Sequence, residues 1–245
     1  MKKTLLPSAL LCPKKNLYIR TLVIIIFLNL YNLGFGQTTF TWNFGTSAAN
    51  PAPSSGSLAN LTVGNITIGN ILGTVTMLST TSASSGYTGA TGQYNAGNAA
   101  RTGALVTGTN GSAYFEIILT PASGYCVNIS SINFGTRSTG TAPKNFTVRT
   151  SIDNYASSIA SDTIPSTSAW FLKNPTTIST SGLVSTSVTL RIYGYNGAGS
   201  PSSNTINWRI DDLNIGLSVS SPSTPTISLT GTLNPFSTNA GNPSA

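Results

Sequence analysis

TINWRIDDLNIG, residues 205–216, alternates apolar and polar side chains in the manner of a half-buried β-strand. Its apolar residues occupy even positions as far as Ile210 and odd positions from Leu213 onwards. Because a strand alternates faces with period two, this change of parity predicts a β-bulge at Asp211-Asp212. Such a bulge re-aims side chains, and here it would re-aim two of only five acidic residues in the chain.

Similar alternations recur along the chain, separated by segments rich in Gly, Ser, Asn and Pro. They predict strands at 39–45, 61–63, 66–68, 75–77, 114–119, 126–134, 146–152 and 188–195. A second change of parity occurs near Ser130-Ser131. Residues 82–112 are predicted to form a long ordered loop, and residues 155–160 one helical turn. The pattern predicts an all-β, jelly-roll-like antiparallel β-sandwich over residues 37–220.

Residues 1–36 have the layout of a secretory signal peptide. A basic region precedes the apolar run 22–28, and small residues then lead to Gln37 as the expected mature start. An uncleaved membrane anchor is the alternative, but the apolar run is short for a membrane span. A lipoprotein anchor at Cys12 is disfavoured because that residue precedes the apolar run. We therefore expect a secreted or cell-surface protein that contacts a membrane only through an uncleaved signal.

The charge distribution argues against a nucleic-acid partner. Five of the twelve basic residues lie before residue 37, where there is no acidic residue. The remaining seven basic and five acidic residues give a formal net charge of only +2. A nucleic-acid-binding domain is expected to concentrate its positive charge on the folded part.

Few residues are suited to catalysis. The chain has no His, and Cys126 is the sole Cys after residue 36, where we predict a small buried hydrophobe. A glycosidase needs two carboxylates at a set separation, and Glu116 with Asp211 or Asp212 is the one pair considered. An ordinary cross-strand charge pair is the preferred interpretation of Glu116. The sequence therefore predicts a module that is not an enzyme.

Arginine and tyrosine side chains occupy the polar positions of the strongest strands. If these strands share a sheet, one polar-aromatic face would carry Arg149, Arg191, Tyr193, Tyr195 and Arg209. Stacking and bidentate hydrogen bonds would let this face bind a glycan or an anion. The alternative is an arginine–acid ladder that only stiffens the sheet.

The Asp211-Asp212 pair has two interpretations. Together with Asp153 it could hold a structural Ca²⁺ ion, the sole cofactor predicted. Alternatively, the carboxylates accept hydrogen bonds from backbone N–H groups freed by the bulge, or they pair with Arg209. Separately, Thr163 lies in a DTI sequence that resembles a Bacteroidetes O-glycosylation acceptor.

The C-terminal part is predicted to begin a second domain. Residues 221–225 have the composition of a linker. Residues 226–245 start a new strand without partner strands and are predicted to be the truncated start of an Ig-like domain. The full-length protein is therefore expected to continue past residue 245, with downstream domains as partners of the sandwich.

Several motifs in order resemble the N-terminal β-sandwich modules of Bacteroidetes secreted and surface proteins. They are YFEI (114–117), PASGY (121–125), NFGTRS (133–138), FTVRTSID (146–153), RIYGY (191–195) and WRIDDL (208–213). The resemblance implies export by type IX secretion and a following Ig-like repeat. It assigns no catalytic residue.

Three functions follow in order of preference. The first is a non-catalytic extracellular or cell-surface module for adhesion or glycan recognition. The second is a structural spacer that presents a downstream domain. The third, and least favoured, is a glycoside hydrolase.

Overall fold

A computed structural model describes residues 36–45, 49–175, 178 and 187–221. These residues form twelve strands and one short 3-10 turn, Ser151–Asp153. The strands are β1 (Thr38–Trp42), β2 (Leu61–Val63), β3 (Thr67–Gly69), β4 (Leu78–Ser79), β5 (Asn95–Asn98), β6 (Tyr114–Pro121), β7 (Cys126–Ser138), β8 (Asn145–Thr150), β9 (Ala160–Thr163), β10 (Trp170–Lys173), β11 (Val188–Tyr195) and β12 (Trp208–Ser220).

The strands form two antiparallel sheets of six strands each. The first sheet has the order β10-β7-β12-β5-β4, and β1 pairs with the same edge of β12 beyond β5. The second sheet has the order β2-β6-β11-β8-β9, with β3 also paired to β6. The predicted all-β antiparallel sandwich is confirmed.

The predicted bulge in β12 is present at the Asp pair. Asp211 lies opposite Gly135 of β7, whereas Asn214 lies opposite Asn133, so β12 carries one extra residue. Asp212 has a φ of 48°, a left-handed conformation that Asp adopts more readily than most residues. The bulge lies where β12 exchanges β5 for β1 as its neighbour.

A second bulge lies on the opposite strand of the same pair. Gly216 faces Ser131 of β7 and Leu217 faces Ile129, which leaves Ser130 as the extra residue. The change of parity near Ser130-Ser131 is therefore also a bulge. Each of the two longest strands carries one extra residue, so their register is restored beyond the second bulge.

The core lies between the sheets and is held by aromatic pairs that cross it. Phe115 of the second sheet contacts Trp208 of the first, with ring centroids 4.8 Å apart. Phe134 and Phe146 form a second edge-to-face pair at 4.9 Å. Such pairs add about 0.5–1.5 kcal/mol each to the effect of burial. Cys126 is buried and unpaired, as predicted.

The prediction of a loop over 82–112 is wrong at β5. Asn95–Asn98 is a strand with all four residues buried, paired with both β12 and β4. Asn and Gly have poor β-propensity, so the sequence pattern did not reveal it. Tertiary contacts hold it: Asn98 Nδ2 donates to Tyr114 O at 3.0 Å. A Cβ at Gly97 would lie 2.6 Å from Ile206 Cγ2.

Other local predictions also need correction. The short strand expected at 75–77 lies at Leu78–Ser79 instead. The helical turn expected at 155–160 is absent there, and the 3-10 turn lies at Ser151–Asp153, directly after β8. Strands β9 and β10 were not predicted, because their partners across the sheet, rather than their own alternation, define them.

The predictions for the two ends of the chain concern residues outside those described. They are the signal peptide at 1–36, of which only Gly36 is described, the linker at 221–225 beyond Ser221, and the Ig-like start at 226–245. All three stay predictions. Within the described ranges, no helix has the length and apolar content to cross a membrane.

Candidate functional site

The outer face of the second sheet carries a row of charged side chains. Arg191 of β11 lies opposite Arg149 of β8 on one side and Glu116 of β6 on the other. The alternate residues of β11, Leu190 and Ile192, are buried in the core. Alternation along β11 therefore directs Arg191 away from the core.

Arg191 is fixed from several sides. Its Nε donates to Glu116 Oε2 at 2.6 Å, and its Nη1 donates to the Tyr193 hydroxyl at 3.1 Å. The guanidinium carbon lies 4.2 Å from the ring centroid of Tyr114 and 4.2 Å from that of Tyr155. Cation–π contacts of this kind favour one orientation of the guanidinium.

The pKa shifts of Arg191, Tyr114 and Tyr193 favour a charged guanidinium and uncharged hydroxyls. Burial opposes the charge on Arg191, but hydrogen bonds to Tyr193 and Glu116 outweigh it and raise the pKa of the guanidinium. Burial raises the pKa values of the Tyr114 and Tyr193 hydroxyls. At neutral pH the cluster thus holds a cation beside uncharged phenols.

Arg149 positions Tyr155. Its Nη1 donates to Tyr155 O at 2.8 Å and also to Ala156 O. The Asp153 carboxylate accepts from the backbone N–H groups of Ala156 and Ser157. Tyr155 has a φ of 61°, which a non-glycine residue adopts only when its surroundings hold it there. Arg149 therefore supports the turn after β8 and is committed to backbone carbonyls.

The segment 104–112 covers one end of this face. Tyr193 donates its hydroxyl to Thr107 O at 3.4 Å, and Asn70 Nδ2 donates to Gly108 O at 2.8 Å. The Tyr193 ring is fully buried as a result. The predicted role of Tyr193 as an exposed ligand contact is therefore wrong. Its hydroxyl instead accepts a hydrogen bond from Arg191 and helps to hold the guanidinium in place.

A pocket of about 260 Å³ lies between this covering segment and the turn after β8. We call it the tyrosine–arginine pocket. Its walls are Asn70, Thr107, Gly108, Thr109, Tyr114, Asn154, Tyr155 and Arg191. Arg191 is the one charged side chain among these lining residues. The walls therefore combine aromatic rings, hydroxyls, amides and a fixed cation.

Arg209 does not share this face, which corrects the predicted platform. It lies on β12 in the first sheet and is only 7% exposed. Its Nη1 donates to Asn95 Oδ1 at 2.8 Å and its Nη2 to Thr81 Oγ1 at 2.9 Å. Burial lowers the pKa of Arg209 to about 10, and the charge of Arg137 adds to this. The parity of Arg209 was correctly inferred, but sequence periodicity does not reveal which sheet a strand joins.

Tyr195 lies on the same face as Arg191 but outside the tyrosine–arginine pocket. It ends β11 opposite Asn145 and is half-buried. The structure thus brings together Arg149, Arg191 and Tyr193 from the predicted set, while Tyr195 lies at the end of the same face and Arg209 lies in the other sheet.

Asp212 fastens a glycine-rich segment to the first sheet. Its Oδ2 accepts from the Tyr87 hydroxyl at 2.6 Å and from Thr91 N at 3.2 Å, and its Oδ1 accepts from Thr91 Oγ1 at 2.8 Å. Burial and the hydrogen bond to Asp212 raise the pKa of Tyr87. A Cβ at Gly135 would overlap the Tyr87 hydroxyl, so glycine is required beneath the ring. We call Asp211 and Asp212 with these partners the aspartate corner.

Asp211 is fully buried within the aspartate corner. Its Oδ1 accepts from Asp212 N at 2.8 Å, which satisfies one backbone donor at the bulge. No described residue makes a hydrogen bond of good geometry to Oδ2. Burial raises the pKa of Asp211 to about 7; the nearby Ser84 hydroxyl opposes this shift, and the charge of Asp212 adds to it.

The predicted calcium ligands do not form one cluster. Asp153 follows β8 in the second sheet, whereas the Asp pair lies in the first. No group of three or more His, Cys, Asp or Glu residues occurs in the described part of the chain. At the corner, one carboxylate favours its protonated form and the other already accepts three hydrogen bonds. This donor set does not match the oxygen-rich shell of Ca²⁺, and calcium binding stays a prediction to be tested.

The carboxylate pair considered for glycoside hydrolysis is also not assembled. Glu116 lies on the outer face of the second sheet and forms an ion pair with Arg191. Asp211 and Asp212 lie on β12 of the first sheet. Glu116 thus has the cross-strand partner that the preferred interpretation expected.

Arg191 is the one lining residue of the pocket that the sequence predicted, and both aromatic residues of the pocket were missed. Tyr114 has the same parity as Glu116 on β6, so its outward orientation was available from the pattern. Tyr155 follows β8 in a left-handed conformation, and no local signal indicates that its ring would reach Arg191. Thr163 lies exposed at the end of β9, beside the Asp162–Lys173 ion pair of 3.1 Å. Its glycosylation stays a prediction.

No protein-family model matches the chain, and no curated protein matches it. Among solved structures, the C-terminal CBM6 of the laminarinase LamC from Zobellia galactanivorans is 14% identical, with 51% of this chain and 80% of that chain covered and a TM-score of 0.28. A cleaved adhesin domain of Lys-gingipain from Porphyromonas gingivalis is 14% identical, with 73% and 97% covered and a TM-score of 0.35. The family 11 carbohydrate-binding module from Clostridium thermocellum, in complex with a β-1,3-1,4-mixed-linked tetrasaccharide, is 11% identical, with 73% and 95% covered and a TM-score of 0.27. Similarity this low does not carry a function from one protein to another.

Proposed function

We propose that the chain is a non-catalytic extracellular or cell-surface module that binds a glycan in the tyrosine–arginine pocket. One observation carries the proposal: Arg191 is flanked by Tyr114 and Tyr155 at the wall of a cavity of about 260 Å³. This arrangement is built before any ligand arrives, because protein groups hold Arg191 through Nε and Nη1. Pre-organised side chains lose little entropy on binding.

Sugar chemistry suits the walls of the pocket. A sugar ring presents C–H groups that pack on aromatic rings and hydroxyls that need donors and acceptors. Tyr114 and Tyr155 supply the rings, while Thr107, Thr109 and Asn154 supply polar groups at the rim. Drug-sized ligands occupy pockets of about 300 Å³ or more, so this slightly smaller cavity fits about one sugar unit.

Binding without catalysis is supported by the groups at the wall. Hydrolysis of a glycosidic bond needs paired carboxylates on either side of the bond. The lining residues include no carboxylate, and Glu116 is engaged by Arg191 behind the wall.

A structural spacer is the second candidate. Tyr193, which an exposed platform would display, is 0% exposed. A spacer that buries its aromatic residues needs no ligand, and it would be selected for stability alone. This alternative predicts that the tyrosine–arginine pocket binds nothing.

Export completes the proposal. It rests on the signal-like residues 1–36 and on the motifs shared with Bacteroidetes secreted proteins, which together suggest a type IX secretion client. Fractionation of cells that express the full-length gene would test it. We expect the protein in the medium or on the cell surface, whereas retention in the cytoplasm would overturn this part.

A glycan array tests the binding function. We expect wild-type protein to retain a restricted set of glycans, and Tyr155→Ala to lose them by about tenfold or more, since ring contacts of this kind contribute about 1–2 kcal/mol. Tyr195→Ala is the matched control, because this tyrosine lies on the same face outside the pocket. Retention of no glycan by wild-type protein would favour the spacer. Equal losses of glycan binding in both variants would mean that the glycan binds outside the tyrosine–arginine pocket.

A further inference from the structure

We infer that the tyrosine–arginine pocket selects a sugar that carries an anionic group, either the carboxylate of a uronic acid or a sulfate ester. The inference rests on the proposed function and names the ligand class of the same site. Its basis is that a single charged group, the Arg191 guanidinium, lines the cavity.

The hydrogen bonds of Arg191 leave donors for a ligand. A guanidinium has five N–H groups. One on Nε is used by Glu116 and one on Nη1 by Tyr193, and Nη2 has no hydrogen-bond partner among the described residues. Three N–H groups thus remain at a group that lines the pocket. An oxyanion accepts from such a fork with two oxygens at once, whereas a sugar hydroxyl accepts with one.

The negative charge that pairs with Arg191 lies outside the lining of the pocket. Glu116 pairs with Nε and does not line the pocket, and the side chains of both residues are 20% exposed. A ligand anion therefore meets the guanidinium before it meets the carboxylate. Glu116 still weakens the attraction, because a like charge close to the ligand costs energy.

The charged residues around the pocket nearly cancel, so they do not attract an anion from a distance. Arg149 donates to the backbone carbonyls of Tyr155 and Ala156, and Asp153 accepts from backbone N–H groups of the same turn. With Arg191 and Glu116, these groups make two positive and two negative charges around the site. Selection of an anion therefore depends on direct contact with the free N–H groups of Arg191, and not on the field of the whole face.

Matched probes test the inference on wild-type protein. The probes are three oligosaccharides that differ only at the terminal unit, which is glucuronic acid, 6-O-sulfated glucose or glucose. By calorimetric titration we expect at least one anionic probe to bind about tenfold or more tightly than the glucose probe, since a charge-assisted pair exceeds a neutral hydrogen bond by about this much. The anionic probe that binds more tightly shows whether the pocket prefers a uronic acid carboxylate or a sulfate ester.

Charge variants sharpen the test. Glu116→Gln keeps an oxygen to accept from Arg191 Nε and removes the negative charge. We expect it to raise the ratio of the affinity for the anionic probe to that for the glucose probe roughly two- to fivefold, in keeping with a charge several ångströms away in a wet site. Asp162→Asn is the matched control for net charge, because it also removes one negative charge and Asp162 pairs with Lys173 away from the pocket. It should leave both affinities unchanged.

The outcomes separate this inference from the proposed function. If the glucose probe binds as tightly as the anionic probes and Tyr155→Ala abolishes its binding, the anionic ligand class is overturned and glycan binding stands. If Glu116→Gln leaves the ratio of the anionic-probe affinity to the glucose-probe affinity unchanged or lowers it, Arg191 does not contact the anion and the inference also fails. If none of the three probes binds and the array is empty, the proposed function fails with it.

Discussion

The two outer faces of the sandwich treat their charged residues differently. At the aspartate corner of the first sheet, Asp211 and Asp212 are at most 7% exposed, and Asp212 is saturated by Tyr87 and Thr91. In the second sheet, Arg191 and Glu116 remain 20% exposed, and Arg191 keeps unused donors at a cavity. A buried charge whose hydrogen bonds are all satisfied fixes a segment in place, whereas a partly exposed charge with spare donors is available to a ligand.

The largest expected effect is a pH dependence of stability that comes from Asp211. Its pKa is about 7 in the folded protein, against an ordinary value of 3.8 for an aspartate in water. A carboxyl whose pKa is raised on folding stabilises the protein while it is protonated, and that contribution is lost as the pH rises through the folded pKa. We expect the free energy of unfolding to fall by on the order of 4 kcal/mol between about pH 4 and pH 7.

Urea unfolding followed by tryptophan fluorescence would measure this dependence. Asp211→Asn is the control, since it has the same shape and does not titrate, and its stability should change far less over the same range. Parallel pH profiles for the two proteins would show that folding does not raise the pKa of Asp211, against this prediction.

The next effect comes from Asp212. Asp212→Asn keeps the side-chain size and tolerates the left-handed backbone, but it replaces one accepting oxygen by a donor. We expect a loss of about 2 kcal/mol in the free energy of unfolding, because bonds to a charged acceptor contribute about 1.5–3 kcal/mol. Asp153→Asn is the comparison, as its carboxylate is exposed and accepts hydrogen bonds from donors of its own turn.

The two variants also separate stability from binding. Asp212→Asn should leave glycan affinity unchanged at a temperature where it is folded, because the corner belongs to the other sheet. A parallel loss of affinity would mean that the two faces are coupled, against the comparison drawn above.

A smaller effect is expected from Arg149, which acts through Tyr155. Arg149→Met should weaken glycan binding several-fold and lower stability by about 1 kcal/mol, because the turn loses hydrogen bonds to two carbonyls. Arg149→Lys should restore part of the affinity, as it can reach one carbonyl. An affinity loss as large as that of Tyr155→Ala, without partial rescue, would instead indicate direct contact between Arg149 and the ligand.

Calcium removal is expected to have the smallest effect. Because burial raises the pKa of Asp211 to about 7 and Asp212 already accepts three hydrogen bonds, EDTA should leave the thermal midpoint of unfolding unchanged slightly below neutral pH. Differential scanning calorimetry with and without added Ca²⁺ is sufficient. A rise of several degrees in the thermal midpoint with added Ca²⁺ would instead support a structural ion at Asp211-Asp212.

The contrast between the faces was only partly readable from the sequence. Both bulges in the β7–β12 pair follow from parity changes, because period-two alternation is a local property. The strand Asn95–Asn98 was hidden, since its stability comes from neighbours rather than from its own residues. Arg209 was assigned to the wrong face because strand partnership is a tertiary property. Tyr155 reaches Arg191 only through a turn that Arg149 and Asp153 stabilise.

Chemical-shift mapping by NMR tests the difference between the two faces most directly. In a titration of labelled protein with the best-binding glycan, we expect the largest amide shifts at Thr107, Thr109, Tyr114, Asn154 and Tyr155, the walls of the tyrosine–arginine pocket. Residues 82–92, which the aspartate corner holds, should show none. Shifts confined to residues 82–92 or to the first sheet, with none around Arg191, would contradict the account.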